Sequence, residues 1–248
     1  MEEQVEKLVQ KTWAKYKATP GSQRLLIAVS GIPGSATGKT TLASLVTKRL
    51  NDLHNKESPG CTSSPIAAFI PMDGYHLSRA QLSAMPDPTT AHGRRGAAFT
   101  FDDEAFYDLV KTLREPLLPE SKTVYAPSFD HAIKDPVEDD IPIHPFARVV
   151  LFEGNYLSLN KGLWKEAAEL MDQLWFVEVD FEVAKRRLVD RHVKAGVAKD
   201  KREAEKRADE NDLVNGREIV DGRLDVDEVV VSREDEKWKP EAQGVEVI

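Results

Sequence analysis

Residues Arg24–Thr41 read RLLIAVSGIPGSATGKTT. The run Arg24–Ser30 is short and apolar, as expected of a parallel strand buried on both faces. From about Lys39 to His54 the pattern is that of a helix. Between them lies the turn Gly31-Ile32-Pro33-Gly34-Ser35-Ala36-Thr37-Gly38. A strand that passes through a glycine-rich turn into a helix has the geometry of phosphate recognition. Glycines let backbone N–H groups face an anion with no Cβ in the way, and the helix N-terminus adds the positive end of its dipole. In such a turn Lys39 reaches the β- and γ-phosphates and the Thr40 hydroxyl ligates Mg2+. The expected nucleotide-binding residues are therefore Gly31, Gly34, Ser35, Ala36, Thr37, Gly38, Lys39, Thr40 and Thr41. The strict spacing puts four residues between the first glycine and Gly-Lys-Thr. Here six separate Gly31 from Gly38, as if Ala36-Thr37 were inserted, and Pro33 occupies the strict position.

Working outward, Ile66–Pro71, Arg148–Phe152, Leu174–Val179 and Glu228–Ser232 read as further strands, and Lys122–Ala126 as a weaker one. Val5, Leu8, Val9, Trp13 and Tyr16 recur at helical spacing, so residues 2–17 form an amphipathic helix that Thr19-Pro20-Gly21 stops. Ser78–Met85 reads as a short helix and Pro86–Ala98 as a loop. Asp102 caps a helix through Arg114, and Asp180 caps another to about Ala195. Leu163–Met171 and the highly charged Lys199–Asn211 are expected to be helical. Asp130–Pro145, rich in Pro and Asp, reads as a long loop. Alternation of strands and helices predicts an α/β fold, a doubly wound, mainly parallel sheet with helices on both faces. One domain is expected over residues 1–233, with a helical lid at 181–212 and a charged tail at 234–248.

Composition narrows the function. Of 248 residues, 41% are hydrophobic and 31% charged, enough for both a core and a polar surface. No apolar run approaches the roughly 20 residues of a membrane span. The start, MEEQVEKLVQ, has neither the pattern of a secretory signal nor that of a transit peptide. A single cysteine, Cys61, forms no intrachain disulfide, so a reducing, cytoplasmic setting is expected. The formal net charge of -8 argues against nucleic acid as a partner.

Two acids stand at strand ends, where open α/β sheets bind ligands. Asp73 follows IAAFIP, and in phosphoryl transfer a carboxylate there accepts the proton of the attacking hydroxyl. Glu153 follows VVLF and suits Mg2+. Asp-Gly is also a common turn pair, so Asp73 has a structural reading too.

These motifs, in order, are SGIPGS, GKTTLA, PMDGYHL, GRRGAAFTFD, VYAPSFDHAIKDP, LFEGNYL and RRLVDRHV. The set resembles the uridine kinase / phosphoribulokinase / bacterial-type pantothenate kinase family over roughly residues 24–232. The resemblance implies a P-loop NTPase-type fold and an ATP- and Mg2+-dependent kinase. It carries Lys39 and Thr40 to the P-loop positions, Asp73 to the catalytic base and Glu153 to the acid near Mg2+. Arg94 and Arg95 fall in a basic segment before Phe101-Asp102, and Tyr125 and His131 in the substrate-side segment. Tyr75 and His76 are candidates for the acceptor pocket, although loop packing explains them equally. Arg186, Arg187 and Arg191 fall in the lid helix, where arginines that close over phosphates stabilise transition-state charge. Arg187 is the expected catalytic member and Arg186 and Arg191 the expected ATP ligands; a solvated basic helix is the alternative. Asn211, Asp212 and Asn215 read as nucleotide contacts or as helix caps, and capping is the expectation. Ala98 stands where the family has Pro, and the tail has no counterpart.

The expected activity is transfer of the γ-phosphoryl group of ATP to a hydroxyl of a nucleoside, a pantothenate-like acid alcohol, or a sugar or sugar acid. The alternatives are a nucleotide-dependent switch or ATPase acting on a protein partner, and a protein that keeps ATP as a structural ligand. A GTPase would need Asn-Lys-x-Asp, and Asn55-Lys56-Glu57-Ser58 lacks the final Asp. A homo-oligomer is compatible with the sequence.

Overall fold

The computed structural model describes residues 1–33, 38–58 and 64–232. Gly34, Ser35, Ala36, Thr37, Cys61 and the tail from residue 233 lie outside the described residues. The strands are β1 Leu25–Gly31, β2 Ala67–Pro71, β3 Val124–Asp130, β4 Asp135–Ile143, β5 Val149–Glu153, β6 Gln173–Glu178 and β7 Glu228–Val231. The helices are α1 Glu2–Ala18, α2 Lys39–Glu57, α3 Arg79–Ser83, α4 Pro88–Gly93, α5 Asp103–Arg114, α6 Gly162–Glu169, α7 Phe181–Lys194, α8 Lys201–Arg207 and α9 Leu213–Gly222.

Five strands form an all-parallel sheet in the order β2-β5-β1-β6-β7. β1 is central and buried at every position, as its unbroken Leu/Ile/Val run requires. Its alternate side chains feed two separate cores. Leu25, Ile27 and Val29 join Leu151, Trp175 and Val177 under α1 and α2. Leu26 and Ala28 join Phe152 and Phe176 against Phe106 and Val110 of α5 and Trp164 of α6. Each such side chain contributes roughly 1.5–3 kcal/mol through burial.

The helix starts are set locally. Asp102 accepts from the Ala105 N–H at 2.8 Å, and Asp180 from the Glu182 N–H at 2.9 Å. Beyond α7 the chain builds a small core of its own from Leu188, Val189, Ala198, Ala204, Ala208 and Leu213. This helical segment packs around a cluster separate from the two sheet cores. Among the described residues, no helix is long and apolar enough to cross a membrane.

Three expectations change. Asp130–Pro145 is not a loop: β3 and β4 pair antiparallel, from Val124↔Ile143 to Asp130↔Asp135. The charged stretch after residue 199 is not one helix ending at Asn211. It is α8, then a π-helical segment Ala208–Asp212, then α9. The stretch Pro86–Ala98 contains α4, with Pro88 in its first turn and Asp87 accepting from the Thr90 N–H.

Candidate active site

β1 runs between β5 and β6, and the chain leaves it toward β2 on one side and returns to β6 on the other. This switch point opens a crevice at the carboxyl ends of the strands. At that edge β1 ends in Gly31, where a Cβ would stand 2.8 Å from the Val177 carbonyl oxygen and 3.1 Å from Lys39 Cδ. Glycine is what lets β6 and the lysine stem approach. Gly38, the N-cap of α2, has φ 89, the left-handed region open to glycine.

Lys39 is buried, and its Nζ donates to the Ile32 carbonyl at 2.8 Å. Burial holds its pKa below the usual lysine range, opposed by the carboxylates of Glu153 and Asp73. The Thr40 hydroxyl donates to Glu153 Oε2 at 3.0 Å. Burial pushes the Glu153 carboxyl up, opposed chiefly by Lys39 and reinforced by Asp73. The Thr41 hydroxyl is buried, with no hydrogen-bond partner among the described residues. These features fit a nucleotide phosphate chain: a buried lysine and a hydroxyl unpaired among the described residues both lie in the first turn of α2, at its N-terminus. Thr40 and Glu153 supply the hard oxygen donors that Mg2+ prefers, one or two from protein and the rest from phosphate or water.

Asp73 sits beside Glu153 because the register pairs Pro71 with Glu153. It lies on a 3-10 turn, Met72–Tyr75. The glycines that follow the two acids make this possible. A Cβ at Gly154 would overlap the Met72 side chain, and a Cβ at Gly74 would overlap the Pro127 carbonyl. The hairpin β3–β4 is thereby seated on the Asp73 turn. The Asp73 side chain stays 44% exposed, within reach of an incoming molecule.

The expected acceptor residues divide. His76 Nδ1 donates to the Asp73 carbonyl at 2.9 Å and lies 3.9 Å from Asp73 Oδ1. Its ring packs 4.0 Å from Phe101 and 5.0 Å from Phe129, and burial lowers its pKa. His131 is exposed, with its ring 4.9 Å from that of Phe129. Tyr75 instead lies in the core, edge-on to Phe106, and burial pushes its hydroxyl up. Tyr125 is 50% exposed on the hairpin, opposite Pro142.

Arg94 and Arg95 face opposite ways. Arg95 Nη1 donates to the Lys134 carbonyl and Nη2 to the Leu77 carbonyl and Asp135, and its guanidinium lies over the Phe129 ring. Arg94 donates to the side-chain oxygens of Asn211, at 2.9 Å, and Asn215, at 2.6 Å. Those asparagines, expected as caps, are contacts between the lid and the arginine loop. A spacing of four, on a helix carried past Asn211, is the sequence signal that could have paired them. Tyr156 also escaped the sequence reading, and its hydroxyl donates to the Gly96 carbonyl at 2.7 Å.

On α7, Arg191 places its charge where it acts on both Lys39 and Glu153. Arg187 donates to the Ser232 hydroxyl at 3.1 Å, and Arg186 is exposed.

Lys39 and Thr40 at the start of α2, two strand-end carboxylates and the charge of Arg191 gather at one sheet edge, the composition of a P-loop phosphotransferase site. No protein-family model matches the chain. The ATP-dependent kinase-like protein notR' of Aspergillus versicolor is 60% identical over 159 residues, 64% of this chain and 92% of that protein. A Schizosaccharomyces pombe protein provisionally named a uridine kinase is 42% identical over 193 residues, 78% of this chain and 77% of its own. The crystal structure of a Silicibacter sp. TM1040 protein, described as a fructose transport system kinase, superposes with a TM-score of 0.75. It shares 30% identity and covers 91% of this chain and 98% of its own. The chain belongs to the uridine kinase-like P-loop kinases, ATP-dependent enzymes that act on small molecules.

Proposed function

We propose that this chain transfers the γ-phosphoryl group of ATP to a hydroxyl of a nucleoside, a pantothenate-like acid alcohol, or a sugar or sugar acid. The observation that carries the reading is the convergence of Lys39, Thr40, Asp73 and Glu153 on one sheet edge, with Asp73 left accessible. In this scheme the 31–41 turn binds the phosphate chain, and Lys39 and Arg191 stabilise charge on the transferring phosphoryl. Thr40 and Glu153 hold Mg2+, whose charge, when bound, neutralises phosphate oxygens. Asp73 orients the acceptor hydroxyl and takes its proton, while His76 holds the Asp73 turn from behind. A positioned base of this kind is worth roughly 10²–10⁴-fold. The lone cysteine supports a reducing compartment for the reaction.

The test is ADP release from Mg-ATP across nucleosides, vitamins, sugars and sugar acids, with Asp73→Asn as control. The relatives' names put uridine and fructose first in the panel. Release that depends on one acceptor, and on Asp73, supports the reading. Release indifferent to every acceptor and to Asp73 replaces it with an ATPase or switch.

A further inference from the structure

Arg94 and Arg95 are neighbours of one type, yet the fold uses them differently. Arg95 is consumed by structure: two backbone carbonyls, the Asp135 carboxylate and the Phe129 ring hold it. Arg94 is half-buried and has no carboxylate partner among the described residues. A guanidinium has five N–H groups; here Nε and Nη2 each give one to a neutral asparagine oxygen. Those bonds orient the cation without neutralising it. Two acids whose charge acts on the neighbouring Tyr156 hydroxyl are Glu218 and Asp212. Both are engaged elsewhere, Glu218 with Lys161 at 3.3 Å and Asp212 with His192 at 2.9 Å.

The position of this cation is also fixed. Gly96, two residues on, has φ 103, and its carbonyl receives the hydroxyl of Tyr156, three residues beyond Glu153. Asn215 precedes Gly216, where a Cβ would stand 3.4 Å from that of Ile32. The Ile32 carbonyl is the one that holds Lys39 Nζ. Arg94 is thus tied, through its chain neighbour Gly96 and its partner Asn215, to the segments that bear Glu153 and the start of the phosphate turn. The π-helical segment that delivers Asn211 is a geometry often found at functional sites.

We infer that Arg94, cradled by Asn211 and Asn215, is an anion subsite that selects acceptors carrying a carboxylate or a phosphate ester beside the hydroxyl to be phosphorylated. The subsite rests on the kinase reading for its meaning, but its charge preference is measurable separately. Planar, bidentate N–H pairs suit either anion.

The experiment uses matched pairs differing only in the charged group: pantothenate and pantothenyl alcohol, D-gluconate and D-glucitol, D-glycerate and glycerol, fructose 6-phosphate and fructose. Each is titrated calorimetrically into the full chain with Mg2+ and a non-hydrolysable ATP analogue, and ADP release is followed separately with ATP. Binding of the anionic member of at least one pair is expected to exceed that of its neutral partner by roughly 10–100-fold. The first three pairs report a carboxylate and the last a phosphate ester. Asn215→Asp is the decisive variant, because it puts a carboxylate against Arg94, keeps the contact and neutralises the cation. It should erase the preference while the thermal midpoint and the KM for ATP stay near wild type. Arg94→Gln should also erase it, and Arg94→Lys should restore part.

Neutral members binding as well as their anions, a preference that survives Asn215→Asp, or no binding of any anion would each overturn the subsite. ADP release to neutral alcohols that Asn215→Asp leaves unchanged overturns the subsite and leaves the kinase. Anion binding that Asn215→Asp abolishes, without ADP release from any pair, upholds the subsite and overturns transfer to these acceptors.

Discussion

The Thr40 hydroxyl donates to Glu153 Oε2 across 3.0 Å, joining the first turn of α2 to the carboxyl end of β5. Under the proposed function these two oxygens, from separate elements, hold Mg2+ together, so a change at either should show as a change in Mg2+ requirement. Thr40→Val is expected to lower kcat/KM on the order of 10²–10³-fold, the usual cost of removing one preorganised charge-stabilising group. Thr40→Ser, which keeps the hydroxyl, should stay within several-fold. ADP release titrated with Mg2+ checks both, and a Thr40→Val enzyme with a normal Mg2+ dependence would remove Thr40 from the metal site.

Glu153 carries a second prediction, on stability. Burial raises its folded pKa above the ordinary 4.5, so between 4.5 and the raised value the folded state holds a proton that the unfolded state has lost. Its contribution is therefore present at low pH and lost as pH rises through the folded pKa. Glu153→Gln, a neutral isostere, should raise the thermal midpoint of the ligand-free protein at pH 7–8 and gain little near pH 4.5, while abolishing phosphoryl transfer. A destabilised Glu153→Gln protein at neutral pH would mean that Lys39 outweighs the burial cost.

Gly74 has no room for a methyl group, because a Cβ there meets the Pro127 carbonyl, which is backbone and cannot rotate aside. Gly74→Ala should cost about 1–3 kcal/mol, as overpacking does, and displace Asp73. Gly93→Ala, where a Cβ meets nothing within 4 Å, is the control and should be neutral or slightly stabilising. Urea denaturation reads the difference, and equal midpoints for the two variants would contradict the close approach.

Among the lid arginines, Arg191 acts electrostatically on Lys39 and Glu153, whereas Arg186 is exposed and Arg187 reaches Ser232. Arg191→Ala should lower kcat by roughly 10²-fold or more, in line with arginines that stabilise phosphoryl-transfer charge. Arg186→Ala should stay within a few-fold. Steady-state ADP release ranks them, and a larger loss at Arg186 would reverse the assignment.

What was legible in the sequence is what short-range physics decides. RLLIAVS had to be a buried strand because its apolar run leaves no polar face, and the glycines with Lys39-Thr40 declared a phosphate turn. Asp102 and Asp180 announced helix starts because a cap bonds within three residues of itself. Asp73 and Glu153 could be placed together because strand ends in a parallel sheet share one edge. The hairpin strand Asp135–Ile143 was not legible. DPVEDDIPI has no alternating apolar signal, and it is extended because β3 pairs with it and Arg79 and Arg95 hold Asp135. Nor could the chain itself separate Arg94 from Arg95, or Arg191 from Arg186 and Arg187. Those distinctions come from partners far away in sequence, such as Asn211 and Asn215, 117 and 121 residues from Arg94. Local composition determined the buried strand, the glycine-rich turn and the helix starts, whereas long-range packing alone decided which of two neighbouring arginines is held by carbonyls and a carboxylate and which by asparagines, because those partners lie far away in sequence.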